Sequence, residues 1–427
     1  MNLLYVIVTF LGLIPVAYLL ANVALSRSYD RRRPRATASA SEITIVLPVY
    51  QERPDVFEQS AASVAAQGCR WLVVGDASDE PYRSIIERRG GTFLYLPEPS
   101  GKKVALAAAL EVTDTPYVLF VDSDTVLPAG AAVRLASHFG PNVGGVGASL
   151  SVRDTGTSFA RSAEFVERAR EVILKAMSSR GNVLYLDGAC AMYRTEVIRP
   201  YVASTEFLHP RVLGRPTPLG DDWMLTDYLL RAGYETVRAY DTRVVTHPKA
   251  NFSSFLAQNV RWSRSNWIRL GSYLRRGPPR AVGRFYMFEV AGTYVLPLIA
   301  LVTIATRVPM VTYSVDRASG GLESVGLILL FLLAPVSREL WKSLARISLT
   351  VLGTFAVGAF AGAVTRDYTG PRLRFIAYGA LGATVLFVTS VYGLFTFWKR
   401  PSWGSPLPLS APPLHPPLPL PQRRPGR

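Results

Sequence analysis

Uncharged apolar positions gather at the two ends of this chain, and the stretch between them alternates short apolar runs with polar punctuation. Residues 3–25 hold no charge for 23 positions, enough at about 1.5 Å per residue to cross roughly 30 Å of hydrocarbon. Arg27, Arg31, Arg32, Arg33 and Arg35 follow this run rather than precede it. That order favours a retained membrane helix over a cleaved leader, and the positive-inside rule places the following segment in the cytoplasm. Between 42 and 250, residues 43–49, 71–75, 92–96 and 117–121 are β-branched or aromatic runs bounded by turn residues. Residues 55–67 and 103–112 carry Ala-rich helical spacing between them. Such alternation predicts an α/β domain with a mostly parallel sheet and helices on both faces, its ligands bound beyond the C-terminal strand ends.

From 251 to 284 the pattern becomes amphipathic. Phe252, Phe255, Val260, Trp262 and Trp267 interleave with Arg261, Arg264 and Arg269, as an interfacial helix requires, until Gly277-Pro278-Pro279 stops it. Uncharged runs at 290–306, 324–337, 347–365 and 375–398 then predict an α-helical transmembrane bundle of about four helices over 285–398. Four crossings return Lys399 and Arg400 to the cytoplasm and put Arg366, Arg372 and Arg374 in an outer loop. Glu289, at the mouth of the first run, reads either as lining a polar conduit or as a snorkelling interfacial carboxylate. The expected organisation is a membrane helix (1–27), a basic linker (28–41), the α/β domain (42–250), interfacial helices (251–284), the bundle and a tail (399–427). Residues 401–427 contain 10 of the 31 prolines, a composition expected to be disordered or polyproline-like.

Charge changes this picture little. The net +16 comes largely from clusters beside the apolar segments, which anionic lipid explains without nucleic acid. A nucleic-acid binder would also leave the aspartate motifs idle. Cys69 and Cys190 fit a reducing compartment and make no metal-ligand pattern.

The candidate chemistry lies in five motifs. Asp76 follows the second predicted strand, and Asp122-Ser-Asp124 ends the fourth, where alternate carboxylates of an extended stretch project to one side. Two carboxylates there are costly without a cation, and a divalent metal bridging a diphosphate removes that cost. Gly101-Lys102-Lys103 opens a predicted helix and lets Lys102 reach phosphate oxygens; the glycine spacing is not that of a P-loop. Gly220-Asp221-Asp222 precedes the helix predicted at 223–232, either as a capping pair or as a base for a sugar hydroxyl. Like-charge crowding and burial would raise that base's proton affinity. Gln258, Arg261 and Trp262 share one helical face, with Arg suited to phosphate and Trp to a sugar ring. His247 and Cys190 read as packing residues.

Taken together and in this order, Asp76, Asp122-Ser-Asp124, Gly220-Asp221-Asp222 and Gln258-Asn-Val-Arg261-Trp262 resemble the motifs of processive, inverting family 2 glycosyltransferases, which include hyaluronan, chitin and cellulose synthases. Asp222 followed by Leu225-Thr226, and Arg261-Trp-Ser-Arg-Ser265, look most like hyaluronan synthases; Ala191-Met-Tyr-Arg194 looks equally like chitin-oligosaccharide synthases. The resemblance spans roughly 43–274 and implies a GT-A-type fold facing the cytoplasm of an integral plasma-membrane protein. It implies that Tyr50, Glu52 and Asp76 hold uridine, Lys102 the diphosphate, and Asp124 an Mg²⁺ or Mn²⁺ ion with Asp122 beside it. Asp222 would be the general base and Asp221 a supporting acceptor contact. Gln258 and Arg261 would bind the donor diphosphate, and Trp262 would stack under the acceptor. The expected activity is polymerisation from a UDP-sugar onto a growing polysaccharide or lipid-linked acceptor, coupled to export. Gly75 replaces a frequent aspartate, and Trp223 a usual basic residue. The rivals are single-sugar transfer to a lipid carrier and, in another class, an inactive transporter or scaffold.

Overall fold

The computed structural model describes residues 3–29, 38–280, 282–299 and 338–399. The predicted bundle therefore falls partly outside the described residues, including all of 324–337 and residues 300–306 of the first run. The expected tail at 399–427 lies outside them too, apart from Lys399.

Strands β1 (Ile43–Val49), β2 (Arg70–Asp76), β3 (Thr92–Leu96), β4 (Tyr117–Val121), β5 (Thr125–Val126), β6 (Val143–Val152), β7 (Cys190–Arg194) and β10 (Glu235–Thr246) form one sheet in the order β3-β2-β1-β4-β7-β6-β10-β5. A two-stranded ribbon, β8 (Arg211–Val212) with β9 (Arg215–Pro216), stands apart. The pairs β3–β2, β2–β1, β1–β4 and β6–β10 are parallel, while β7 runs against both neighbours and β5 against β10. The sheet is thus mostly parallel, as the alternating pattern predicted.

Ten α-helices lie among the described residues before 280: α1 (Leu3–Ser26), α2 (Pro54–Ala65), α3 (Tyr82–Glu87), α4 (Lys102–Glu111), α5 (Ala131–Ser137), α6 (Ser158–Ser178), α7 (Thr195–Val202), α8 (Thr205–Leu208), α9 (Asp221–Arg231) and α10 (Phe252–Arg276). Period-two alternation divides the central strands between two cores. Ile45, Leu47, Val73, Leu119 and Val121 face α2, α3 and α5, whereas Val46, Val74, Val118 and Phe120 face α4, α7 and α9. Strand β6 escapes a propensity reading because of Gly144, Gly145 and Gly147. A Cβ at Gly145 would stand 2.5 Å from Leu186, so the helix layer requires glycine there.

Among the described residues, Arg372–Leu394 is long and apolar enough to cross a bilayer, and Leu13–Ser26 and Val351–Val364 are shorter apolar stretches. Helix α1 packs parallel to Arg338–Val364: Val16 lies against Gly353, and Val23 clusters with Val364 and Phe360. Both helices end beside α6. The outer loop expected for Arg366, Arg372 and Arg374 is therefore not what the fold contains. Arg168 of α6 lies over the rings of Tyr368 and Phe375, and Arg161 donates to the Tyr378 hydroxyl at 3.3 Å. The start of Arg372–Leu394 thus sits on the α/β domain, and aromatic–guanidinium stacking holds it there.

The far end of the same helix also meets the domain. Trp267 Nε1 donates to the Ser390 carbonyl at 2.9 Å, and Arg264 Nε to Thr396 Oγ1 at 3.1 Å. Gly379, Gly382 and Gly393 permit this approach, since a Cβ at Gly379 would fall 2.6 Å from Phe165 and one at Gly393 2.9 Å from Ser263. Glu289 does not snorkel. It is fully buried between α1 and the helix at 284–299, accepting from Tyr18 Oη at 2.8 Å and Asn22 Nδ2 at 2.7 Å.

Candidate active site

The C-terminal edge of the parallel strands gathers most of the predicted chemistry around one lysine. Gly101 takes a left-handed φ of 88°, which glycine adopts without strain, and α4 starts at the next residue. Lys102 Nζ is 2.6 Å from Asp122 Oδ1 at the end of β4 and 3.1 Å from Asp221 Oδ2 at the start of α9. It also donates to the Gly188 carbonyl at 3.3 Å. Burial opposes its charge most strongly, but Asp122 and Asp221 outweigh burial and hold the ammonium well above its ordinary pKa.

The carboxylates around it differ in character. Burial raises Asp122, and Asp124 and Asp221 add to the rise against the relief from Lys102. Asp221 is also penalised by burial, yet Lys102 and Lys103 bring it below the usual aspartate value. Asp222 is pushed up to about 7, first by burial and then by the charge of Asp221. Its Oδ1 accepts from the Trp223 backbone N–H at 2.7 Å, so the helix start orients it as well. Two adjacent aspartates are thus driven apart in proton affinity.

Residues 122–124 are not extended as predicted. A turn replaces the strand, with Thr125 N–H donating to the Asp122 carbonyl at 3.1 Å. Asp124 consequently points toward β10: it accepts from Thr246 Oγ1 at 3.3 Å and pairs with Lys249 Nζ at 3.5 Å. His247, read from sequence as packing, donates its backbone N–H to the Asp124 carbonyl at 3.2 Å. Among the described residues its buried Nε2 has no hydrogen-bond partner. Burial, reinforced by Arg153 and opposed by Asp124, lowers the imidazole pKa and favours the neutral ring.

Asp76 is almost fully buried, and both its oxygens are engaged by backbone donors, Ser100 N at 2.6 Å and Gly101 N at 2.9 Å. It shapes the loop that presents Lys102. Glu52 accepts from Ser123 Oγ at 3.3 Å, tying the β1 loop to the Asp122–Asp124 turn, while Tyr50 is 39% exposed on the same rim.

On α10, Gln258 and Arg261 are half-buried and Trp262 is 39% exposed. Arg261 feels the charges of Asp122 and Asp221, although burial dominates and lowers its pKa. The Arg170 guanidinium lies 5.4 Å over the Trp262 ring and is held by Glu167 at 2.6 Å, Asp187 at 2.8 Å and the Tyr185 hydroxyl at 2.8 Å. Asp187 also pairs with buried Arg238, and its charge reaches Asp222. Sequence reasoning missed Arg170, Asp187 and Arg238. Their only advance signal was the charge of Arg238 in a strand.

The edge therefore unites Lys102, Asp122, Asp221, Asp222 and Arg261, while Asp124 turns to Thr246 and Lys249 and Trp262 stacks with Arg170. It leaves Tyr50 and Glu52 at the rim. A model described as glycosyltransferase like family 2 matches residues 47–265, more than half of the 427 residues. The chain belongs to the family 2 glycosyltransferases. An N-acetylglucosaminyltransferase of Azorhizobium caulinodans is 26% identical over 374 residues, covering 83% of this chain and 85% of that protein. A hyaluronan synthase of Streptococcus pyogenes is 28% identical over 276 residues, covering 60% and 63%. The mannosyltransferase PcManGT from Pyrobaculum calidifontis, solved with GDP-Man and Mn²⁺, superposes with a TM-score of 0.53 at 18% identity, covering 84% of this chain and 99% of that one. That likeness shows the fold of this family 2 glycosyltransferase to be GT-A.

Proposed function

We propose that this glycosyltransferase is membrane-embedded and processive, polymerising sugar from a UDP-sugar with inversion and passing the product into its apolar helices. The supporting observation is the Lys102–Asp122–Asp221 cluster with the proton-hungry Asp222 beside it, on the same edge as Arg261 and Trp262. In the proposed reaction an acceptor hydroxyl gives its proton to Asp222 as its oxygen attacks the anomeric carbon. The bond from that carbon to the diphosphate oxygen breaks, and UDP departs with the electron pair. Lys102 and Arg261 stabilise the charge that builds on the diphosphate. Tyr50, Glu52 and the Asp76-shaped loop surround the uridine, Gln258 assists at the diphosphate, and Asp221 supports the acceptor. Trp262 offers its open face to the sugar ring while Arg170 backs the other.

The donor set fits an Mg²⁺ or Mn²⁺ ion. Asp124 supplies hard oxygen ligands, and His247, favoured neutral, carries a buried Nε2 with no hydrogen-bond partner among the described residues. Among the described residues no three acidic, imidazole or thiolate groups form a metal site alone. Donor phosphates would complete the coordination, as is usual for Mg²⁺. When bound, the cation supplies charge stabilisation at the leaving diphosphate.

A screen of UDP-sugars for metal-dependent UDP release, with product length read on a gel, tests this reading. A ladder is expected with the correct donor, and Asp222→Asn should abolish it while UDP binding persists. A single added sugar would instead support transfer to a lipid carrier. No UDP release from any donor would leave a scaffold or transporter.

A further inference from the structure

A second charged cavity lies on the opposite face of α6, away from the Lys102 cluster. It encloses about 640 Å³ where α1 and the helix Arg338–Val364 both end. Arg27, Arg168, Lys175, Arg243 and Arg366 line it, against two carboxylates, Glu171 and Asp367. None of these residues belongs to the catalytic edge. Gathering five cations against two carboxylates costs Coulomb energy unless a further anion is shared among them.

Some of this charge is already compensated. Arg168 pairs with Glu164 at 2.6 Å and Arg243 with Glu171 at 2.8 Å. Among the described residues, the side chains of Arg27 and Arg366 make no ion pair or hydrogen bond, and both are exposed. Arg27 directly follows α1 and Arg366 lies two residues beyond Val364, positions near helix C-termini where a cation is favoured by the helix dipole. Capping accounts for those two positions but not for Arg168, Lys175 and Arg243, which converge on the same void from α6 and β10. The level of the cavity is equally informative. The apolar stretches Leu13–Ser26 and Val351–Val364 end together at its wall, so any bilayer that contains them ends there too. That is the depth of lipid phosphates.

We propose that this cavity binds a phosphate ester, supplied by the headgroup of an anionic phospholipid whose acyl chains lie along α1 and Arg338–Val364. The lipid source rests on the membrane-embedded reading above; the phosphate site does not. Arg27 and Arg366 are the contacts to the headgroup, and Arg168, Lys175 and Arg243 provide the positive field behind it. Helix α6 also carries Arg170 to Trp262, so one rigid element joins the headgroup cavity to the sugar-stacking face.

The test uses the full chain purified in neutral detergent. Thermal midpoint is followed while phosphatidylglycerol, phosphatidylcholine or inorganic phosphate is titrated in. Phosphatidylglycerol should raise the midpoint and phosphatidylcholine should not. The double variant R27Q/R366Q should weaken the apparent affinity about 30-fold, because each basic residue near a lipid phosphate contributes roughly a fivefold step. R27K/R366K should restore most of it, which separates charge from fold. Equal responses to both lipids with no stabilisation by inorganic phosphate, or an R27Q/R366Q response matching the wild type, would overturn the proposal. Stabilisation by inorganic phosphate that is lost in R27Q/R366Q, without any preference between the lipids, upholds the phosphate site and refutes the lipid source. Sedimentation with membranes before extraction is scored separately. A chain that stays soluble would sink the membrane reading while leaving the phosphate titration interpretable.

Discussion

The proton affinity of Asp222 gives the most exacting test of the catalytic assignment. Its carboxyl is held at about 7 rather than the ordinary 3.8, by burial and by the Asp221 charge. At pH 6 only about one molecule in ten then carries the free base, and each further unit of acid should cost about another tenfold in rate. Single-turnover transfer at saturating donor, measured from pH 5 to 9 at constant ionic strength, should rise with a midpoint near pH 7 and level off above about pH 8. Asp221→Asn removes the like charge and should move that limb to lower pH. The reduced amplitude expected from losing a Lys102 partner does not affect the position of the limb. A stability measurement supplies a second sign. The folded chain holds this proton more tightly than the unfolded chain does, so ionising Asp222 costs stability progressively as pH rises from about 4 to about 7. The stability difference between wild type and Asp222→Asn should follow that window. A limb that stays in place in Asp221→Asn, or a wild-type limb near pH 4, would refute the reasoning.

Trp262→Ala should slow chain extension more than donor hydrolysis, measured as polymer formed against UDP released; an equal loss removes the stacking role. Gly379→Leu drives a side chain into Phe165, where a Cβ alone would fall 2.6 Å away, and overpacking of this kind costs about 1–3 kcal/mol. Limited proteolysis should then cut the Arg372–Leu394 helix away from the domain faster than in wild type. Lys103, buried against Leu219, Met224 and Phe207, is lowered to about 8, mainly by burial. The unfolded chain therefore binds the extra proton between about pH 8 and 10.5, and stability should rise with pH across that window. Lys103→Met should abolish this slope without acid-side loss, as followed by thermal melts. Chelation with EDTA should stop UDP release, and Mg²⁺ or Mn²⁺ should restore it; Asp124→Asn should require more of either ion.

Much of the GT-A framework was legible because strand and helix periods differ. The runs at 43–49, 92–96 and 117–121 are strands with those same bounds, and Gly101 and Gly220 both precede helices that deliver charged groups. Lys102, Asp122 and Asp221 converge from two predicted helix starts and one predicted strand end. What periodicity could not supply was side-chain direction. Asp122 and Asp124 part company because a turn begins at residue 122, and no spacing rule encodes that turn. The Arg170–Asp187–Arg238 network was hidden for another reason: its members come from a helix, a loop and a strand that meet only in three dimensions. Likewise, charge counting sent Arg366, Arg372 and Arg374 to an outer loop, whereas Tyr368 and Phe375 stacking under Arg168 keeps their segment on the domain.

The helix Arg372–Leu394 acts as a gauge bar. It is fastened near one end to α6 and near the other to α10, the two elements that contribute Arg170 and Trp262. The gap between guanidinium and indole is therefore set partly by an apolar rod lying outside the sheet. Substitutions along that rod can widen or narrow the seat offered to a sugar while every catalytic carboxylate stays where it is.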